Sequence, residues 1–288
     1  MTDAPHHHAD ALKYEDWAGE MGARWLANLT GFENTIAPAG EALLAHAAYQ
    51  PGERVVDIGF GGGATSLAIA QAVAPDGEVV GIDISPDLAA ATMRRAAAAG
   101  IANARFICAD AATVAVPDAP FDRLCSRFGS MFFAEPVPAF ANLRGLLKPG
   151  GRLDLAVWGP PLQNPWMLEG MAVARRHVEM PAPVPRAPGP FAFEEPEYME
   201  ETLIAAGFSN VNIVAAKGEL PVGGPGATAE QAQAFVRHAL AFGQALLDYP
   251  PEVQEAAAAE LTALYARHYR PGEGVMMGYA VWLVSANA

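Results

Sequence analysis

From residue 51 onward the chain alternates between short apolar runs and longer stretches whose apolar positions recur every three or four residues. The short runs, rich in Val, Ile, Leu and Phe, predict strands over 54–59, 78–83, 104–108, 121–125 and 151–157. The periodic stretches predict helices over 64–73, 86–99 and 136–147, with stops at Pro75-Asp76-Gly77, Gly100 and Pro149-Gly150-Gly151. Strands that are apolar along their length suit a parallel sheet covered on both faces. The alternation of β and α units implies a doubly wound α/β sheet.

The flanks are less regular. Leu12, Trp17, Met21, Trp25 and Leu29 recur at roughly helical spacing over 10–29, and a second helix is expected over 34–47. Beyond 158, prolines crowd "PPLQNPW" and "MPAPVPRAPGPF", so a helix over 165–178 gives way to an irregular segment. A helix over 195–206, a strand over 210–216, helices over 228–247 and 252–268 and a strand over 275–285 complete the chain. The predicted organisation is a helical cap at 1–50, a core at 51–158, an insertion at 159–196 and the rest of the sheet at 197–288, interrupted by helices at 218–272. The cap and the segment 160–196 are expected to fold over the C-terminal edge of the sheet as a lid, because Trp17, Trp25 and Trp166 need burial.

Composition narrows the function classes. Hydrophobic residues make up 52 %, yet no apolar run approaches the ~20 residues of a membrane span. The acidic start lacks the basic end and apolar core of a signal peptide, so a cytoplasmic location is expected. A net charge of −14, from 32 acids against 18 bases, opposes a nucleic-acid partner. Cys108 and Cys125 lie in apolar runs and are expected to be buried free thiols, too few for a zinc ribbon or a disulfide framework. His6, His7 and His8 have no second ligand pair at fixed spacing, and no metal site is predicted.

Candidate chemistry concentrates in "VVDIGFGGGATSLAIA", residues 55–70. Gly59, Gly61 and Ala64 satisfy the dinucleotide pattern G-x-G-x-x-A, but Asp57 opposes a phosphate there. Two unit charges about 6 Å apart at an effective dielectric near 20 repel by about 3 kcal/mol. S-adenosylmethionine reverses the sign, since it carries an ammonium and a sulfonium and its only anion is a carboxylate. Asp57 then either holds the turn by accepting backbone N–H groups or lies near the ammonium, and the glycines let the backbone approach closely. Asp83, ending "EVVGIDIS", suits ribose hydroxyls with both carboxylate oxygens free, a need that NAD shares. Asp110-Ala111, ending "FICADAAT", suits the adenine amino group. Three acids thus converge on the switch point of the sheet.

In order and spacing, "VVDIGFGGG", "VVGIDIS", "CADA" and "LKPGGRL" resemble the motifs of class I S-adenosylmethionine-dependent methyltransferases, strongly over about 50–158. More loosely, "WAGEMGARWLANL", "NPW", "PGPFAF", "AAGF" and "AVWLVSA" resemble the small-molecule branch near the ubiquinone/menaquinone C-methyltransferases. The resemblance implies a Rossmann-like, seven-stranded, mostly parallel sheet with its last strand antiparallel. It implies that Gly59, Gly61 and Gly63 line the methionine end, that Asp83 binds the ribose and that Ile84 lies against the adenine face. Asp110 and Ala111 would meet the adenine edge, and Ser126, Arg127 and Phe128 would sit beside the transferring methyl. Phe60 departs from the small residue or cysteine more often found there; it either faces the sulfonium or fills space.

Methyl transfer needs alignment and no metal, while a phenol or alcohol acceptor also wants a base. The histidines at hand are His46, His177, His238 and His268, with His177 favoured because its helix belongs to the lid. Arg127 is the sharper catalytic candidate: it binds the cofactor carboxylate or an anionic substrate group, or else pairs with a nearby acid. Aromatic residues at strand ends and in the additions suggest an apolar, small-molecule acceptor. The alternatives are C-methylation of a quinone-like ring, an NAD-dependent oxidoreductase, and a cofactor-binding protein without an acceptor site.

Overall fold

A computed structural model describes residues 16–288; His6, His7, His8 and Leu12 lie outside the described residues. Two helices, α1 (Glu20–Ala27) and α2 (Leu29–Ala47), precede the core. The core then alternates through β1 (Arg54–Ile58), α3 (Ala64–Val73), β2 (Glu78–Asp83), α4 (Pro86–Ala98) and β3 (Ala104–Cys108). It continues through β4 (Phe121–Arg127), α5 (Pro136–Gly145) and β5 (Leu147–Trp158). Next come α6 (Pro165–His177), α7 (Pro196–Ala205), β6 (Ser209–Pro221), α8 (Ala229–Ala239), α9 (Ala241–Leu247), α10 (Pro251–His268), β7 (Tyr269–Arg270) and β8 (Gly274–Asn287).

The strands form one sheet in the order β3-β2-β1-β4-β5-β8-β6, with the two-residue β7 paired to β8. β1 to β5 pair in parallel, and β8 runs antiparallel to both β5 and β6. The order reverses direction between β1 and β4, which makes the crevice beyond their C-terminal ends the binding position of such a sheet. Val55, Val56, Val79, Val80, Ile82, Leu124 and Leu155 are fully buried, the pattern of central strands covered on both faces. Ser85 caps α4 by accepting from Leu88 N, and Thr228 with Gln231 forms a capping box on α8. At the opposite end of the sheet, Arg123 donates to Asp154 Oδ2 at 2.6 Å and to the Ala47 carbonyl at 2.7 Å.

The differences from the sequence reading include two element boundaries and the burial of one cysteine. β5 starts at Leu147 rather than 151, because Leu147 already pairs with Phe121 ahead of a register shift. The helix expected over 228–247 breaks at Leu240, whose backbone is extended (φ −93°, ψ 148°). A Cβ on Gly243 would lie 2.3 Å from the Val236 carbonyl oxygen, so only glycine permits the return against α8. Cys125 is buried, but Cys108 is exposed because β3 is an edge strand. No helix among the described residues is long and apolar enough to cross a membrane.

Candidate active site

The C-terminal ends of β1 to β5 open into a cavity of about 490 Å³. Along the sheet its floor runs from Asp110 and Ala111 after β3, to Asp83 and Ile84 at β2, to Gly59 and Gly61 after β1. It continues to Arg127 and Phe128 at β4 and Trp158 at β5. These residues, far apart in sequence, meet because parallel strands all end on the same edge.

Gly59 has φ +68°, and a Cβ there would lie 2.7 Å from the Gly129 Cα. The β1 turn and the backbone after β4 therefore touch directly, and a side chain on Gly59 would force them apart. Asp83 holds this turn. Its Oδ2 accepts from Gly61 N at 2.8 Å and its Oδ1 from Ser85 N at 2.9 Å. The carboxylate oxygens are thus already engaged rather than free, although each keeps capacity for a further donor. Burial raises the Asp83 pKa, and the backbone donors oppose that shift. Asp110 Oδ1 accepts from Ala112 N at 2.9 Å, and beside Asp83 the Ile84 side chain stays 43 % exposed.

Four residues expected around the cofactor point elsewhere. Asp57 neither accepts backbone N–H groups nor lines the cavity. It is buried behind the turn, where its Oδ2 accepts from the Ser66 hydroxyl at 2.5 Å. Burial pushes its carboxyl up to about 6, against the opposing Ser66 hydrogen bond. The Phe60 ring meets Phe106 edge-on at 5.0 Å in a satellite cluster with Leu67 and Ala89, so it fills space. Gly63 caps α3 against Thr92. Ser126 Oγ donates to the Ile58 carbonyl at 2.8 Å and accepts from Ser130 N at 3.2 Å, joining two loops beneath the cavity.

His177 lies outside the cavity as well: its Nε2 is 2.7 Å from Glu260 Oε2 in a separate surface groove. It stands six residues along α6, roughly 9 Å of helix, beyond Met171, the last residue of that helix on the cavity lining. Of the other histidines, His268 faces Glu169, and neither His46 nor His238 lines the cavity.

Arg127 does reach the cavity. Among the described residues its guanidinium has no hydrogen-bond or ion-pair partner, and burial lowers its pKa. The carboxylates that act on it electrostatically, Asp57 and Glu33, are bonded to Ser66 and Arg95. Next to it Phe128 adopts φ +66°, a strained conformation for an aromatic residue, and its ring stacks on Trp158 at 4.1 Å. Trp25 stacks on Phe32 at 3.9 Å, while Trp17 meets Trp25 edge-on at 5.7 Å and Phe132 at 4.9 Å. The α8–α9 junction, residues 239–242, also lines the cavity, a contribution that no local pattern signals.

A family profile described as a methyltransferase domain matches residues 55–151. The chain is 33 % identical over 174 residues to the demethylmenaquinone methyltransferase of Thermus thermophilus, an overlap of 54 % of this chain and 74 % of that one. The chain belongs to the class I S-adenosylmethionine-dependent methyltransferases. Nocamycin O-methyltransferase of Saccharothrix syringae is 31 % identical over 195 residues, covering 63 % of this methyltransferase and 68 % of its relative. The YcgJ protein of Bacillus subtilis shares the fold, with a TM-score of 0.57 at 18 % identity over 87 % of this chain and 98 % of that one. Family membership selects S-adenosylmethionine over the NAD alternative.

The methyltransferase also tests the expected lid. Trp17, Met21 and Trp25 from the N-terminal side, Trp166, Met167 and Met171 from α6, and Met180 and Phe191 from the proline-rich segment all face the cavity. Met180 and Phe191 bracket an exposed stretch, 181–186, that ends at Arg186. Filling the cavity should tether both ends of that stretch. Trypsin is expected to cut after Arg186 more slowly with saturating S-adenosylhomocysteine; equal rates with and without it would show that the segment is not coupled to the cofactor.

Proposed function

We propose that the cavity binds S-adenosylmethionine along β1 to β3 and an apolar small-molecule acceptor against β4, β5 and the helical cover. The observation that carries this reading is the make-up of the cavity floor: carboxylates and glycines at the ends of β1 to β3, and the stacked Phe128 and Trp158, with Trp166 beside them, at β4 and β5. The residues present suit the cofactor. Asp83 and Asp110 offer acceptors at neighbouring strand ends, Ile84 adds an exposed apolar surface between them, and Gly59 admits close backbone approach. When bound, the cofactor supplies a methyl group activated by a sulfonium.

The chain's own part is binding, orientation and exclusion of water. Asp83 and Asp110 accept hydrogen bonds, Gly61 presents the turn that Asp83 holds, and Phe128, Trp158 and Trp166 wall the acceptor side. Fixing the reactants in line in this way accounts for much of the rate in well-oriented systems, up to ~7–11 kcal/mol. By their names, the relatives act on demethylmenaquinone and on nocamycin. The first of these supports a second reading, C-methylation of a quinone-like ring.

Calorimetric titration with S-adenosylhomocysteine and with NAD tests the proposal. Binding of the former alone is expected; binding of NAD, or of neither, would overturn it.

A further inference from the structure

An alcohol or phenol acceptor must lose a proton, and among the described residues the cavity offers nothing placed to take it. No histidine, lysine, tyrosine, cysteine or glutamate is among its described lining residues; the ionisable ones are Asp16, Asp83, Asp110 and Arg127. Asp83 and Asp110 belong to the β2 and β3 side and hold backbone N–H groups there. Asp16 is exposed at the mouth, where its Oδ1 accepts from Gly19 N at 3.0 Å. An amine fares no better, since the sulfonium's positive charge would pass to its nitrogen and, with no base on the described lining to take the proton, stay in the apolar cavity beside Arg127.

Arg127 supplies the complementary half of the argument. It is the sole cation on the described lining, and its donors have no partner among the described residues. Arg127 is half-buried, and its N–H donors, without acceptors among the described residues, are available to an anion that enters the cavity. Gly40 of α2 makes room for the group, since a Cβ there would lie 2.7 Å from Arg127 Nη1. The surrounding wall is adaptable in shape: Met21, Met131, Met167, Met171 and Met180 all line it. Recognition by charge on such a wall leaves the acceptor's skeleton loosely specified.

Building on the methyltransferase reading above, we propose that Arg127 holds the oxyanion of an acceptor already ionised at neutral pH, a carboxylate or an enol of comparable acidity on an apolar skeleton. Attack by that oxygen forms its bond to the methyl carbon as the S–C bond breaks with its electrons left on sulfur. The negative acceptor and the positive donor give two products without those charges, and no proton leaves. The reaction therefore requires no general base, in keeping with the lining of the cavity.

The test is calorimetric titration of 2-naphthoate and of its neutral counterpart 2-naphthamide into protein saturated with S-adenosylhomocysteine. The wild type is expected to favour the anion about ten-fold or more, as charge-assisted hydrogen bonds allow. Arg127→Met should abolish that preference while binding S-adenosylhomocysteine within about three-fold of wild type. Gly40→Ala gives a second variant that leaves the guanidinium chemistry intact. Its Cβ meets the mobile end of Arg127, so the helix should tolerate it while the displaced guanidinium loses part of the preference. Equal affinity for the two probes in the wild type, binding of neither, or a preference that survives Arg127→Met would overturn the proposal. A larger loss of S-adenosylhomocysteine affinity in Arg127→Met would overturn it too, by assigning the guanidinium to the cofactor's own carboxylate. Failure of the wild type to bind S-adenosylhomocysteine at all would instead sink the methyltransferase reading on which the proposal rests.

Discussion

Asp83→Ala is expected to weaken S-adenosylhomocysteine binding by roughly thirty- to a thousand-fold, about 2–4 kcal/mol. Part of that loss is direct, because a carboxylate accepting two hydroxyls makes two charge-assisted hydrogen bonds, each worth ~1.5–3 kcal/mol before water replaces some of them. The other part comes from the turn. Asp83 accepts from Gly61 N and Ser85 N, so its removal releases the loop that presents Gly59 and Gly61. The same bonds make the effect visible without ligand. From position alone, the carboxylate oxygens are expected free and the melt of the variant near wild type; the observed backbone bonds require a lower melting temperature. Leaving those N–H groups without their partner should cost about 1–3 kcal/mol and a few degrees in Tm. Calorimetric titration reads the first effect and a thermal melt the second. Undiminished binding would show that Asp83 does not hold the ribose.

The βα core was legible because its information is local. Val55 to Ile58 and Val79 to Asp83 are short apolar runs, each with an acid at or next to its end, and the turn signals between them fall where α3 and α4 start and stop. What an end-of-strand position does not reveal is which side of the turn a side chain takes. Gly59, Gly61, Asp83, Ile84, Asp110, Ala111, Arg127 and Phe128 reach the cavity, whereas Asp57, Phe60, Gly63 and Ser126, interleaved with them, serve the packing beneath it. The cover was harder still to read. Trp17, Trp25 and Trp166 stand out as aromatics needing burial, but Leu240 and Phe242 join them through a bend that depends on Gly243 folding back on α8. Gly40 carries no signal of its own; its role appears only where α2 crosses Arg127. The favoured histidine failed for a related reason: His177 is in the helix that lines the cavity, but at the end that pairs with Glu260.

Asp57→Asn should change how stability depends on pH. In the fold, burial pushes the Asp57 carboxyl up to about 6 from its ordinary 3.8. Between those values the folded chain holds a proton that the unfolded chain has released, so wild-type stability falls as pH rises through this window and levels off above it. Two pKa units correspond to about 3 kcal/mol. The full figure is relevant because Asp57 is only 1 % exposed, which leaves little solvent to screen the charge. Asparagine has nearly the same shape, retains an oxygen to accept from Ser66, and never ionises. Its amide nitrogen faces new surroundings, but any cost there is the same at every pH. The decisive quantity is therefore the difference between variant and wild type in urea unfolding at pH 4 and at pH 7.5. That difference is expected to move in favour of Asn by about 2 kcal/mol between the two, since part of the full range is already lost at pH 4, just above the ordinary value. A difference that stays constant would mean the carboxyl titrates in its ordinary range. A shift in the opposite direction would mean that Arg127, whose charge favours the ionised form, outweighs burial. The same substitution removes one of the two carboxylate charges acting on Arg127, so affinity for an anion in the cavity should rise.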